Sequence, residues 1–417
     1  SLTTASNRND GSGFHRGRFC LATARPFCFC RLPSAHLVIW NLIFKFADMN
    51  PTPENGSGAQ SAGPLNNPRS LSRVLAVRFS ALGDVAMTVP VLYSACRCYP
   101  QVRFALLTRR SMVPMFVNPP ENLQIIGVDL NEFAGLGGLG RLFRHVREQF
   151  PFDGLIDLHD VLRSKVLTMM ARLRGIPVAV IHKGRRGKRA LTRARNKVLL
   201  PLTSQRSRYR QAFHRLGLPV ESRFDGLYAG TPTGKADPAL FAAVTPPKAA
   251  GERWIGIAPF AKHEGKIYPP EMMEQVVEAL SQRPSTRIFL FGGGDSEQLT
   301  LDGWAERYPG VTSLAGRRLG FPVELALISH LDVMLSMDSA NMHLASLTMT
   351  PVVSIWGATH PYCGFKGWRQ HEEDIVQLPM TCRPCSVFGN RPCRRGDYFC
   401  LRGIAPKVII DRCLSHL

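Results

Sequence analysis

The feature that most constrains this chain is an alternation that runs twice. From Arg73 onward, apolar runs of strand length alternate with longer stretches of helical spacing. They read VLAVRF, DVAMTVPVLYSACRCY, VRFALLT, LQIIGVDL, LGGLGRLFRHVREQ, FDGLIDLH, VLRSKVLTMMARLRG and PVAVIHKG. From Arg253 the alternation restarts with RWIGIAPF, PPEMMEQVVEALSQ, TRIFLFGGG, VTSLAG, FPVELALISHL, VMLSMDS, ANMHLASL and PVVSIWG. Strands separated by helices imply βαβ units and a mostly parallel sheet. The length of 417 residues exceeds one typical domain. The chain is therefore expected to be α/β, with one domain over 70–218, a Pro/Gly/Ala-rich linker over 219–252, and a second domain over 253–417 with a Cys-rich tail. The facing strand ends of two such halves form a cleft, the usual ligand site of open α/β sheets. Pro90 is expected to kink or delay the helix it falls in.

Residues 1–69 are polar and rich in Gly, Pro, Asn and Ser, the composition of a disordered leader. Their one apolar patch, Leu37 to Ala47, is broken by Asn41 and Lys45. No apolar run reaches the length needed to span a bilayer, so no membrane-spanning helix is expected. The chain opens on Ser1, and Met49 begins a plain polar tail; residues 1–48 are read as upstream sequence translated in frame.

A net charge of +21 predicts attraction to polyanions: nucleic acid, anionic lipid or phosphorylated substrates. Residues 141–215 carry nineteen Lys/Arg against four Asp/Glu, most densely in HKGRRGKRALTRARNK. That run lacks interleaved aromatics, so base stacking is poorly supported and nucleic acid is not the expected partner. Anionic headgroups or a phosphorylated acceptor fit better. Eleven cysteines spread through a chain of this size do not form a secreted disulfide scaffold, and a reducing cytoplasm fits them. Cys382, Cys385, Cys393 and Cys400 are candidates for a structural zinc, with free thiols or a labile disulfide as alternatives.

Several strand ends carry chemistry. SALGD places Asp84 just after a glycine where the first strand turns into a helix. A carboxylate there either caps the helix or removes a proton from an incoming hydroxyl. APFAKHEGKIYPPE puts Lys262 and Lys266 in a loop before a helix, where a polyphosphate could approach; a solvated basic loop is the plainer alternative. In FGGGDSEQ, Gly292, Gly293 and Gly294 permit close backbone approach to a ligand, or form only a turn. SMDSANMHLAS places Asp338 and Ser339 at another strand end, with His343 one turn into the next helix. Asp338 can accept from sugar hydroxyls while helix amides meet phosphate, and His343 is otherwise a packed histidine. No G-x-G-x-x-G follows any strand, which argues against a nicotinamide or flavin dinucleotide enzyme.

In combination these elements resemble glycosyltransferase family 9, the lipopolysaccharide-core heptosyltransferases. VLAVRFSALGDVAMTVPVL resembles the family's opening, IDLHDVLRS its internal Asp-rich strand end, and KIYP its Lys-x-aromatic-Pro element. MDSANMHLAS followed by PVVSIWGATHP resembles its donor-site signature. The likeness covers about residues 72–413, in order. It implies a GT-B fold of two facing Rossmann-like domains. It also implies a metal-independent, inverting transfer from a nucleotide-diphosphate sugar, ADP-heptose, to a lipid-linked saccharide acceptor; the charge of the basic segment argues for a cytoplasmic protein peripheral at the inner membrane. By the same resemblance Asp84 is the general base, Lys266 neutralises donor phosphate and Asp338 holds the donor sugar. Ser339, Ala340, His343 and Gly293 then surround the nucleotide, and Ser80, Asp157, Arg163 and Lys183 lie on the acceptor side. The sequence has Ser339-Ala340-Asn341 where members often carry Ser-Gly-Pro or Thr-Gly-Leu, a departure that bears on the donor. Two other readings are a different nucleotide-sugar donor on the same fold, and a non-catalytic basic protein that binds RNA or membrane.

Overall fold

The structure, a computed structural model, describes residues 71–417. The expectations for residues 1–69, including the Leu37–Ala47 patch and the start at Met49, lie outside these residues.

The first half runs β1 (Arg73–Val77), α1 (Leu82–Ala86), α2 (Val89–Cys98), β2 (Arg103–Arg109), β3 (Leu123–Val128) and α3 (Gly135–Gln149). It continues with β4 (Gly154–Asp157), α4 (Leu162–Arg172), β5 (Val178–Val180), α5 (Arg185–Leu191) and α6 (Gln205–Arg215). Its strands form a five-stranded parallel sheet in the order β3-β2-β1-β4-β5. The second half runs β6 (Arg253–Ala258), α7 (Pro270–Ser281), β7 (Thr286–Leu290), α8 (Asp295–Arg307), β8 (Val311–Ser313) and α9 (Phe321–Ile328). It closes with β9 (Val333–Met337), α10 (Ala340–Leu347), β10 (Val352–Trp356), β11 (Ile375–Gln377), α11 (Phe399–Arg402) and α12 (Pro406–Leu414). Its six-stranded sheet has the order β11-β10-β9-β6-β7-β8, also parallel. That is the doubly wound order, with the switch between β6 and β9; the matching switch in the first sheet lies between β1 and β4.

The long helical stretch after β1 is two helices, not one kinked helix. Pro90 sits at the first turn of α2, where its missing N–H costs no intrahelical bond, so it starts a new helix. The apolar strands are explained by burial: β9 and β10 are buried at every residue. One core covers the outer face of the first sheet and another the outer face of the second. A third is shared, joining Val74 and Leu106 of the first half to Trp254 and Phe289 of the second. The connecting stretch is packed into this shared core. Phe224 stacks edge-on against Tyr93 at 5.8 Å and against Trp368 at 5.7 Å, and Phe241 against Trp254 at 5.9 Å.

Candidate functional site

The site is built at the carboxyl ends of the strands flanking both switch points. After β1 the chain passes through Arg78 and Phe79 into α1. Asp84 is not the cap of that helix: the cap position is Ala81, which makes no side-chain cap bond, and Asp84 lies in the first turn. Its carboxylate pairs with Arg78, Nη2 to Oδ2 at 2.6 Å. Arg78 is itself buried, donates from Nη1 to the Leu158 carbonyl at 2.7 Å, and keeps a buried Nε with no partner. The Arg78 guanidinium lies over the Tyr209 ring, whose hydroxyl donates to the Asp84 carbonyl at 3.0 Å. Asp84 is thus held from the strand side by a cation and from behind by α6.

The neighbouring Gly83 has a separate purpose. A Cβ at this position would stand 2.8 Å from Cδ2 of His343 and 3.8 Å from the Ala340 Cα. Only a residue without a side chain lets α1 of the first half meet α10 of the second this closely. His343 is buried, its Nδ1 has no partner, and its pKa is pushed down to about 3 by burial and by Arg206 and Lys266. It is therefore a neutral ring wedged between the halves.

The second half supplies a compact ionic centre. Lys266 ends a 3-10 turn, Glu264–Lys266, beyond β6. Asp338 follows β9. Lys266 Nζ lies 3.0 Å from Asp338 Oδ2, which also accepts from the Thr359 hydroxyl at 2.8 Å. Three strand ends meet at that carboxylate. The lysine loop is held against its neighbours. Ala358 N donates to the Gly265 carbonyl at 2.7 Å, and added Cβ atoms at Gly265 and Gly389 would meet Ala358 and the Lys266 stem. Ser339 begins α10 with a free side chain as far as capping goes, its hydroxyl 3.2 Å from that of Ser336.

Beside α10 lies a pocket of about 190 Å³ lined by Leu82 from the first half and by Gly292, Gly293, Glu297, Glu324, Ala340 and Asn341 from the second. The Gly293 amide donates to Glu297 Oε2 at 2.8 Å, so it is occupied by a carboxylate. Burial raises the pKa of Glu324.

For the residues expected to face an acceptor the picture is mixed. Arg163 lines an open cleft with Arg109, Arg110 and Ser111 at the ends of β2 and β3. Lys183 donates to the Asp160 carbonyl at 2.7 Å and lies 3.8 Å from its carboxylate, which Arg185 also reaches at 2.8 Å. Asp157 is not brought to the surface. It is fully buried; Oδ1 accepts from the His159 and Asp160 amides, both at 2.8 Å, and Oδ2 has no partner. It holds the turn after β4, and burial raises its pKa. Ser80 is half-buried at the end of β1. The cysteines of the tail, Cys382, Cys385, Cys393 and Cys400, are free thiols, and no metal-binding group of three or more His, Cys, Asp or Glu occurs among the described residues.

Residues that sequence patterning did not single out are Arg78, Thr359, Glu297, Glu324 and Lys188. Lys188 lies on α5, its pKa pushed down to about 8 by burial and then by Arg208, with Asp84 acting in the opposite sense. It was hidden among equivalent-looking cations. Arg78 and Thr359 had a visible signal, since both sit at strand ends inside quoted motifs.

The sequence model of glycosyltransferase family 9 (heptosyltransferase) matches residues 139–392. Lipopolysaccharide heptosyltransferase 3 of Escherichia coli is 24% identical over 315 residues, 71% of this chain and 85% of that protein. Lipopolysaccharide heptosyltransferase 1 of Pseudomonas aeruginosa is 24% identical over 330 residues, 75% of this chain and 86% of that protein. Among solved structures, the E. coli heptosyltransferase WaaC with ADP superposes with a TM-score of 0.57 at 17% identity, over 83% of this chain and 100% of that chain. The family 9 glycosyl transferase of Veillonella parvula gives a TM-score of 0.62 at 15% identity, over 83% of this chain and 97% of that chain. Among the described residues no helix is long and apolar enough to cross a membrane. With its two facing parallel sheets in the GT-B arrangement and a family match over more than half its length, the chain belongs to glycosyltransferase family 9 and is a glycosyltransferase of the heptosyltransferase family.

Proposed function

We propose that this enzyme transfers a heptose from ADP-heptose, with inversion, to a lipid-linked saccharide acceptor of the lipopolysaccharide core. The work takes place on the cytoplasmic side, at the periphery of the inner membrane. Residues 70–218 form the acceptor-side domain, 219–252 the linker and 253–417 the donor-side domain. The observation that carries the reading is the position of Asp84. Its helix packs directly on α10 through Gly83, so a carboxylate of one half stands beside the donor-side helix of the other.

In the proposed reaction the acceptor hydroxyl oxygen attacks the anomeric carbon and its proton passes to Asp84. The bond from that carbon to the diphosphate oxygen breaks as the new C–O bond forms. Lys266 and the amides at the start of α10 meet the charge that develops on the leaving diphosphate, a fixed arrangement that needs little reorganisation. Asp338 orients the sugar through its hydroxyls and is itself set by Lys266 and Thr359. Ser339, Ala340 and His343 surround the nucleotide, with Gly293 at the pocket's edge. Arg109, Arg110 and Arg163 offer guanidiniums to an anionic acceptor, Ser80 and Lys183 line the approach, and Asp157 acts only by holding the β4 turn. The scheme uses side chains and helix amides in place of a metal. WaaC was solved with ADP, and a further WaaC structure with ADP-2-deoxy-2-fluoro heptose, which supports the donor class.

The test is a donor screen on purified protein, following thermal stabilisation and slow hydrolysis with ADP-heptose, ADP-glucose, UDP-sugars, GDP-sugars and NAD. Stabilisation by ADP-heptose alone is the expected result. Preference for another nucleotide sugar would discard the heptose and keep the mechanism; no response to any of them would favour a non-catalytic, polyanion-binding role.

A further inference from the structure

The densest basic run, 182–197, divides into two populations in the fold. Lys183 and Arg185 are paired with Asp160, Lys188 is half-buried, and Lys197 donates to the carbonyls of Cys382 at 2.7 Å and Pro384 at 3.1 Å. Arg189, Arg193 and Arg195 are exposed, and among the described residues no carboxylate pairs with them. The segment 182–204 contains no acidic residue.

Directly after these arginines come three consecutive exposed apolar side chains: Val198 at 45% exposure, Leu199 at 48% and Leu200 at 63%. Elsewhere among the described residues large exposed apolar side chains stand singly in the sequence, the ordinary condition of a soluble surface. This loop is not loose. Val198 N donates to the Ala190 carbonyl at 3.1 Å and Leu202 N to the Tyr362 carbonyl at 2.9 Å, while the Lys197 bonds fix its middle to the Cys-rich tail. The backbone is pinned and the leucines are left in water.

The tail adds to the same face. Phe388, 52% exposed, lies at 6.0 Å from Lys188 Nζ, and Arg394 acts electrostatically on Lys197. Gly389, next to Phe388, abuts the stem of Lys266. The patch therefore stands at the rim of the donor–acceptor cleft, with cations around an apolar centre.

We propose that this rim, loop 193–200 with Phe388 and Arg394, is the docking surface for an anionic lipid bilayer, the leucines entering the headgroup boundary while the arginines meet phosphates. The inference deepens the peripheral placement proposed above and rests on it. Charge selects the occupant: basic side chains near an anionic surface each contribute attraction, and buried apolar area adds to it. A nucleic-acid partner would be served by several aromatics interleaved with the cations; 182–204 has none, and Phe388 is the single aromatic of this rim, beside three consecutive aliphatic side chains. Docking here presents the cleft to the membrane plane, where a lipid-linked acceptor is held.

The test is sedimentation of the full chain with vesicles of phosphatidylcholine alone and of equal parts phosphatidylcholine and phosphatidylglycerol. Binding to the anionic vesicles, weakening with salt, is expected. In R193Q/R195Q it should fall about thirtyfold, for two surface cations lost. In L199N/L200N, which keeps every charge, it should fall about tenfold. Leu173→Asn, an exposed leucine at the end of α4, should change nothing. Failure of the parent protein to bind anionic vesicles would overturn both the surface and the peripheral placement. Equal binding by the parent and both double variants, with unchanged melting temperatures, would overturn the surface and leave the placement standing. Release of vesicle-bound protein by a short RNA, with no effect of L199N/L200N, would assign the patch to nucleic acid and overturn the proposal.

Discussion

Two ion pairs at strand ends, Arg78–Asp84 in the first half and Lys266–Asp338 in the second, are built differently. In the second half Lys266, Asp338 and Thr359 come from three strand ends and satisfy one another, with the lysine and aspartate side chains 16% and 7% exposed. In the first half Arg78 anchors Asp84 from below, and the carboxylate side chain remains 20% exposed. Lys188 interacts electrostatically with it, and a separate open cleft at the ends of β2 and β3 is lined by Arg109, Arg110 and Arg163. The Lys266–Asp338 pair is a closed unit that fixes geometry. The Asp84 carboxylate is held at one edge and open at the other, the arrangement that the proton exchange proposed above requires. The surplus of positive charge in this half fits the anionic acceptor proposed above.

Replacing Asp84 should have the largest effect on this contrast. If its open edge meets the acceptor hydroxyl, Asp84→Asn lowers turnover by about a hundredfold to ten-thousandfold, the usual contribution of a positioned base. Donor affinity, measured by titration of nucleoside diphosphate, stays within about twofold, because uniform binding is untouched. Equal turnover in the variant would remove Asp84 from the mechanism.

Next comes the closed pair. Lys266→Met leaves Asp338 with its charge uncompensated in a nearly buried setting, at a cost of about 3 kcal/mol, readable in urea denaturation. Nucleoside diphosphate affinity should fall with it. The double variant Lys266→Met/Asp338→Asn should recover much of the stability and none of the affinity. Full additivity would show that the two side chains do not act as a unit.

The smallest effect tests the seam where the halves meet. Gly83→Ala gains about 1 kcal/mol of helix propensity but forces a methyl against His343, and overpacking costs about 1–3 kcal/mol. The seam should win, giving a net loss of about 1 kcal/mol in thermal or urea unfolding. In a His343→Ala background the same change should turn stabilising, since the ring that obstructs the methyl is gone.

The legible parts of this molecule were those in which local sequence is forced by burial. Strands covered on both faces, such as VMLSM and VVSIW, must be continuous apolar runs, so the alternation and the α/β class were readable directly. Helix α6 was not. It is rich in Arg and Gln, and its buried face mixes Gln205 and Arg208 with Tyr209, Ala212 and Phe213, so its apolar periodicity is weak. Helix α8 was masked by the glycines before it, which read as a turn. At the site, strand-end position marked Asp84, Lys266 and Asp338 as candidates, and the parallel topology gathers the strand ends that carry them. The burial of Asp157 and the occupation of the Gly293 amide by Glu297 were not legible, since both depend on which neighbour a side chain finds.

By itself, then, the sequence determined the element types, the two-sheet class and the surplus of positive charge, because period, burial and composition are local properties of a chain. Tertiary structure decided what each charge does. It set Arg78 on Asp84, joined Lys266 to Asp338 and Thr359, and brought His343 onto Gly83. It also half-buried Lys188 while leaving Arg193 and Arg195 beside three exposed apolar residues. Identical basic letters in one run acquired different roles because electrostatics depends on distance and solvent access, and only the folded chain fixes either.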